Sequence, residues 1–300
     1  MTQNQFELLT YIELNQGKKI SQREMSNEIN LSLGTVNKIF SEFIEKKYID
    51  VDNFKNINVT AIGYKSLEPY KVKKVIYLAA GFGSRMVPIT LNTPKGLVMV
   101  HGKKIIETTL DAVIAAGITN ITIVRGYLSE QFDILLKKYP TIKFIENETF
   151  NQANNIASAY MCRELLENAY VIESDLILYN KHLIRKYEYS TNYLGKYVKS
   201  TEDWCFEVKN GIIKKMKIGG ENCYHMYGIS YWDRESAKQM EKDIAYVYNT
   251  LGGKEKYWDQ VSLDICKNNY SIMVRECKEG DIIEIDTFNE LKEVDPIYKI

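Results

Sequence analysis

The chain has 300 residues, 45% of them apolar, with 39 basic residues against 39 acidic ones. That is enough apolar material for one large or two modest domains, and zero net charge argues against a protein whose main business is wrapping nucleic acid or coating an anionic membrane. No apolar run approaches the roughly 18 residues that cross a bilayer. Met1-Thr2-Gln3-Asn4-Gln5-Phe6-Glu7 lacks the basic-then-apolar form of a signal peptide. The five cysteines are scattered and contain no Cys-x-x-Cys pair. They read as reduced thiols, so a cytoplasmic protein is expected.

In chain order, Phe6, Leu8, Leu9, Ile12 and Leu14 make the apolar face of a first helix. Ser21 with Glu24 is a capping box for a second helix reaching about Ile29. Ser32 opens a third, with Val36, Ile39, Phe40, Phe43 and Ile44 on one face. Tyr48–Val51 and Ile57–Thr60 read as two short strands around Asp52-Asn53. This order resembles a winged helix-turn-helix module of bacterial regulators, over residues 1–70. DNA is then a candidate partner, but 11 lysines and arginines stand against only 9 acids over residues 1–74. On the third helix Lys38, Lys46 and Lys47 are opposed by Glu42 and Glu45, which is thin charge for phosphate contacts. The competing reading is a dimerisation or regulatory appendage, and a homodimer is a candidate assembly. Pro69 and the charged run after it mark the boundary to a second domain, residues 71–300.

From Val75 the grammar changes. Strands over 75–78, 121–124, 143–145 and 170–173 alternate with helices over 105–113, 131–139 and 156–166. That order predicts a doubly wound, mainly parallel α/β sheet, with ligands at the carboxyl ends of its strands. The first strand empties into Leu78-Ala79-Ala80-Gly81-Phe82-Gly83-Ser84-Arg85, followed by Pro88 and Thr93-Pro94-Lys95. Glycines let backbone N–H groups approach an anion, and Arg85 and Lys95 bring positive charge to the same place. The run is not a P-loop, and a dinucleotide fingerprint would need a glycine where Met86 stands. It resembles the signature of the sugar-nucleotidyltransferase superfamily, Rossmann-like enzymes that join a nucleoside triphosphate to a phosphorylated small molecule and release pyrophosphate. The resemblance implies that the glycine loop, Leu78 to Ser84, holds the nucleotide and that Arg85 and Lys95 are catalytic.

Two acids suit a hard cation held through oxygen. Asp175 follows the strand at 170–173, and Asp286 ends Ile282-Ile283-Glu284-Ile285-Asp286, whose alternation sets Glu284 and Asp286 on one side. The superfamily places magnesium-binding aspartates at these two positions, so Asp175 and Asp286 are expected to bind Mg²⁺. Asp286 has a competing reading as a helix cap, and Glu173 is expected beside the metal ligands. No histidine is placed as a general base, and an attacking phosphate needs none.

All three tryptophans lie beside an aspartate, in Asp203-Trp204, Trp232-Asp233 and Trp258-Asp259. Aromatic faces with carboxylates nearby attract a quaternary ammonium; the alternative is that the tryptophans are core anchors. Gly126-Tyr127-Leu128-Ser129-Glu130-Gln131-Phe132, Asn154-Asn155-Ile156-Ala157-Ser158, Ile229–Asp233, Tyr257-Trp258-Asp259 and Glu284-Ile285-Asp286 resemble the bacterial choline-phosphate cytidylyltransferases, over about residues 75–295. That resemblance implies CTP and phosphocholine as substrates. It adds Gly126, Tyr127 and Asn155 to the nucleotide site, and assigns Trp204, Trp232, Asp233, Tyr257, Asp259 and Glu284 to the acceptor site. The chain departs from the family form by its N-terminal module and by Glu173, where an aspartate is expected. Phosphoethanolamine or 2-aminoethylphosphonate would suit a similar pocket with fewer aromatic walls and more carboxylate. A sugar phosphate acceptor, or a nucleotide-sensing DNA-binding regulator, are the other readings.

Overall fold

The computed structural model describes residues 1–299, and the chain divides into two compact units, residues 1–71 and 72–300. The first unit has helices α1 (Gln3–Leu14), α2 (Gln22–Glu28) and α3 (Leu33–Glu45). A short antiparallel ribbon of β1 (Ile49–Val51) and β2 (Ile57–Val59) follows, and then α4 (Ala61–Leu67). The sequence explains the starts: Thr2, Ser21, Ser32 and Thr60 each cap a helix by accepting a backbone N–H in its first turn, which satisfies donors the helix itself cannot. Phe6, Leu8, Leu9, Ile12, Met25, Val36, Ile39 and Phe43 are buried. Glu42 is already held by Lys46 and by Gln5. The opposition it offers to the lysines of α3 is therefore partly spent inside the unit.

The second unit opens with β3 (Lys74–Ala79), the small ribbon β4 (Met99–Val100) and β5 (Lys103–Lys104), and α5 (Ile105–Ala115). There follow β6 (Ile121–Arg125), β7 (Ile142–Glu146), α6 (Ile156–Cys162), β8 (Ala169–Glu173) and β9 (Leu176–Leu178). A long hairpin of β10 (Asn192–Lys209) and β11 (Ile212–Trp232) leads to α7 (Arg234–Tyr248), β12 (Met273–Glu276), β13 (Ile282–Glu284) and α8 (Phe288–Val294). Seven strands form one sheet in the order β10-β12-β11-β8-β3-β6-β7. Strands β8, β3, β6 and β7 run parallel, and β11 joins β8 antiparallel. Alternation along β3 sends Val75, Tyr77 and Ala79 into the core on one face with Ile106 and Leu110 of α5. It sends Ile76 and Leu78 into the core on the other with α6, α7, Trp232 and Trp258. This is the doubly wound α/β fold that the strand–helix alternation implies.

Two elements differ from expectation. The helix expected over 131–139 is a run of 3₁₀ turns over Ser129–Lys137. The one expected over 156–166 ends at Cys162 and continues as a 3₁₀ turn. Apolar spacing identified buried faces correctly in both, but short segments do not carry enough residues to fix the turn type.

Candidate active site

A cleft of about 600 Å³ opens at the carboxyl ends of β3 and β8. The glycine loop makes one wall. Gly83 has φ 68°, in the left-handed region, and its carbonyl accepts from the Thr90 hydroxyl at 2.8 Å. A Cβ here would meet Thr90 and the Lys95 stem at 3.2–3.3 Å, so glycine serves both conformation and packing. Gly96 lies so close to Ser174 that a Cβ would stand 3.1 Å from its backbone oxygen. That close approach sets the neighbouring Lys95 beside Asp175.

The second wall is acidic. The ribbon of β9 and β13 is antiparallel, with Leu176 opposite Glu284, and the Ile285 N–H donates to the Asp175 carbonyl at 3.1 Å. This pairing brings Glu284 and Asp286 next to Glu173 and Asp175, more than a hundred residues away in sequence. Lys95 Nζ lies 2.8 Å from Asp175 Oδ2 and 2.7 Å from Asp286 Oδ1. Arg85 reaches Asp286 at 2.8 Å from a much more exposed position. Burial alone would depress the Lys95 ammonium, but Asp175 and Asp286 outweigh it and hold its pKa above the ordinary lysine value. Burial, then the charges of Asp259 and Asp175, push the Glu173 carboxyl well above the usual carboxylate range. Burial with Asp175 and Asp286 does the same to Glu284. Burial pushes Asp259 up to about 7, against the pull of the Tyr193 hydroxyl that donates to it at 2.9 Å. Oxygens of Glu173, Asp175 and Glu284 lie within 4.8 Å of one another, and Asp175 Oδ1 is buried with no hydrogen-bond partner among the described residues.

The third wall is aromatic. Trp204 sits at a register shift in the β10–β11 hairpin and meets Tyr257 edge-on, with ring centroids 5.9 Å apart. Asp203, Met216 and Met226 complete this part of the lining.

Of the residues expected at a nucleotide site, Leu78, Ala80, Gly81, Gly83, Ser84 and Asn155 line the cleft, as do Arg85 and Lys95. Ala79 points into the core below the loop. The Phe82 and Tyr127 rings meet at a tilt of 53° with centroids 4.4 Å apart, with the Tyr127 N–H donating to the Ala80 carbonyl and its hydroxyl to the Leu91 carbonyl. These two rings brace the loop from outside the lining. Gly126 accommodates Phe150, whose ring a Cβ would strike at under 3 Å.

Of the expected acceptor residues, Trp204, Tyr257, Asp259 and Glu284 line the cleft; Trp232 and Asp233 must be withdrawn. Trp232 is wholly buried, packed against Tyr193, Trp258 and Tyr270, with its indole N–H donating to Ser230. Asp233 caps α7 by accepting from the Ser236 N–H at 2.9 Å, and also accepts from the N–H and hydroxyl of Thr191. Burial opposes its charge, yet these hydrogen bonds hold its pKa below the usual value. Trp258 is core as well. An aspartate after a buried tryptophan at a helix start is a cap by default.

The lining also holds Asn147, Phe150, Asn154, Ser158 and Gly228, none of which was assigned from sequence. Gly228 had no local signal. A Cβ there would sit 2.6–2.8 Å from the Glu173 side chain, a relation that only the pairing of β11 with β8 creates.

A family model of nucleotidyl transferases matches residues 74–211, and one of winged helix-turn-helix DNA-binding modules matches residues 1–50. The chain is 35% identical over 228 residues to a 2-aminoethylphosphonate cytidylyltransferase of Lancefieldella rimae, covering 74% of this chain and 92% of the relative. It is 32% identical to a choline-phosphate cytidylyltransferase of Streptococcus pneumoniae, covering 75% and 98%. Among solved structures, the CTP:phosphocholine cytidylyltransferase of Streptococcus pneumoniae superposes with a TM-score of 0.70 at 31% identity, over 76% of this chain and 99% of that one.

Proposed function

The chain belongs to the nucleotidyl transferase family, and from that membership we propose that it transfers the cytidylyl group of CTP to phosphocholine, giving CDP-choline and pyrophosphate. What carries the reading is that one cleft is lined by a glycine loop, by Arg85 and Lys95, and by an aromatic corner of Trp204 and Tyr257 with carboxylates beside it. The choline-phosphate cytidylyltransferase relative supports this acceptor, and the 2-aminoethylphosphonate relative supports cytidylyl transfer alone.

An oxygen of the acceptor's phosphate attacks the α-phosphorus of CTP. A P–O bond forms there, the bond to the oxygen bridging to the β-phosphate breaks, and pyrophosphate leaves with that electron pair. The attacking oxygen is already ionised near neutral pH, so no side chain has to remove a proton. Lys95 is buried at the centre and permanently charged, and it is suited to stabilising charge that builds on the phosphates in the transition state. Arg85, exposed at the rim, is suited to the departing pyrophosphate. Asp175 and Asp286, with Glu173 and Glu284 beside them, would hold Mg²⁺. The oxygens of Glu173, Asp175 and Glu284, within 4.8 Å of one another, and the unpartnered Asp175 Oδ1 fit a hard cation, while Asp286 is ion-paired to Lys95 and Arg85 beside them. When bound, that ion supplies charge neutralisation at the phosphate oxygens.

A second reading, 2-aminoethylphosphonate as acceptor, is favoured by one specific observation. With Trp232 and Trp258 in the core, the aromatic walls reduce to two, while Asp203, Asp259 and Glu284 remain in the lining. A primary ammonium can donate hydrogen bonds to carboxylates, and a trimethylammonium cannot. Competing equal concentrations of phosphocholine, phosphoethanolamine and 2-aminoethylphosphonate for limiting CTP decides between them. Excess CDP-choline supports the first reading, excess of the 2-aminoethylphosphonate product overturns it in favour of the second, and excess CDP-ethanolamine overturns both.

A further inference from the structure

Asn155 lies between two parts of the cleft that sequence reading treats as separate. Its amide nitrogen donates to Glu173 Oε1 at 3.2 Å, and its amide oxygen accepts the Trp258 backbone N–H at 2.9 Å. Asn154 reinforces the second connection. Its backbone N–H donates to the Lys254 carbonyl at 2.7 Å, and its side chain donates to the Glu255 carbonyl at 3.3 Å. Three hydrogen bonds from two adjacent residues thus pin the segment 254–258, which carries Tyr257 into the cleft. The segment is otherwise a loop of turns between α7 and the next helical element, with Lys254 and Lys256 exposed. The opposite wall constrains Glu173, because Gly228 leaves room for its side chain and nothing larger would.

We infer that Asn155 is a positioning residue for the acceptor, rather than a nucleotide ligand. Both ends of its amide are committed to protein partners. It fixes the distance between the strand-end carboxylate Glu173 and the aromatic wall at Tyr257, and so sets the width of the acceptor pocket. This assignment rests on the proposed location of the acceptor at Trp204 and Tyr257. Asparagine is suited to the task because it donates and accepts at once without adding a charge to an already acidic wall. Aspartate could still receive the Trp258 N–H, but it would lose the N–H donation to Glu173 Oε1.

The test uses the full chain and two substitutions, Asn155→Ala and Asn155→Asp. Steady-state rates are measured against CTP and against whichever acceptor the wild type turns over. In parallel, timed tryptic digestion reads cleavage after Lys254 and Lys256 without any substrate. Losing a hydrogen bond that holds a loop should raise the acceptor KM of Asn155→Ala roughly tenfold, with the KM for CTP changed far less. Cleavage at the two lysines should rise by a similar factor, since local opening becomes easier. Asn155→Asp should keep near wild-type protection of the segment, because the oxygen that receives Trp258 is retained. Unchanged cleavage in Asn155→Ala, an equal rise in both KM values, or cleavage of Asn155→Asp as fast as that of Asn155→Ala would each overturn the assignment. A wild type inactive on every acceptor would refute the proposed activity, and the protease arm would still decide the role of Asn155 in holding the loop.

Discussion

Replacing Lys95 by methionine keeps the stem's length and removes only the charge. In the folded chain the Lys95 side chain is 13% exposed, and its ammonium lies within 2.8 Å of two carboxylates. At that separation each pair attracts by several kcal/mol even at an effective dielectric near 20, and most of this is offset by the desolvation of all three groups. Removing one partner of such a buried cluster leaves its carboxylates uncompensated, which costs about 3–5 kcal/mol. For a domain of this size that lowers the melting temperature by roughly 6–20 °C. The loss must depend on pH. Glu173 and Glu284 already sit above the ordinary carboxylate range, and without the ammonium they will protonate more readily still. A carboxylate with a raised folded-state pKa binds more protons when folded than when unfolded, so stability falls as pH rises. Lys95→Met should therefore be nearest to wild type around pH 5 and furthest from it at pH 8. Turnover should fall by at least about a hundredfold, as with loss of a preorganised charge. Thermal melts at pH 5 and pH 8, with pyrophosphate release at pH 7.5, measure all three effects. A variant that melts with the wild type at pH 8 and turns over at its rate would refute the central role given to Lys95.

Other perturbations test the remaining walls. Trp204→Ala should raise the phosphocholine KM roughly thirtyfold, for about 2 kcal/mol of cation–π attraction in a desolvated pocket; an equal rise in the KM for CTP would show that the corner is misassigned. Asp259→Asn keeps an acceptor for the Tyr193 hydroxyl but removes a carboxyl pushed up to about 7. Stability that the wild type loses between about pH 4 and pH 7 should then persist, raising its stability at pH 8 by one to a few kcal/mol; urea titrations at pH 4 and 8 that show an unchanged slope would contradict this. Gly228→Ala must displace Glu173, whose side-chain atoms would lie 2.6–2.8 Å from the new Cβ. It should fold yet lose about tenfold or more in kcat/KM, as misplaced catalytic surroundings do; full activity would show that Glu173 has room to spare. Residues 72–300 alone should retain turnover because every cleft residue lies in that unit. A folded but inactive truncation would mean that residues 1–71 complete the site.

What could be read from sequence was whatever local chemistry fixes. The alternation of buried strands with helices, the glycine loop with Arg85 and Lys95, and the acids at the ends of β8 and β13 are all short-range patterns. Capping residues such as Ser21 and Ser32 marked helix starts for the same reason. What failed was anything that depends on which strand pairs with which. The β10–β11 hairpin, 18 and 21 residues with several register shifts, sets Trp204 on the cleft and Trp232 in the core, although both stand beside an aspartate. Its register also brings Met216, Met226 and Gly228 into the lining. Asn155 was found by its motif, but its hydrogen bonds were not, because its partners Glu173 and Trp258 lie 18 and 103 residues away.

The most direct measurement is identification of the product formed by the full chain from phosphocholine with each of CTP, UTP, ATP and GTP, in the presence of Mg²⁺, by mass spectrometry alongside pyrophosphate release. CDP-choline and equimolar pyrophosphate are expected with CTP, little product with the other three, and loss of both signals in Asp175→Asn and Asp286→Asn. Pyrophosphate without a cytidylylated product, or wild-type rates in both aspartate variants, would contradict the proposed function.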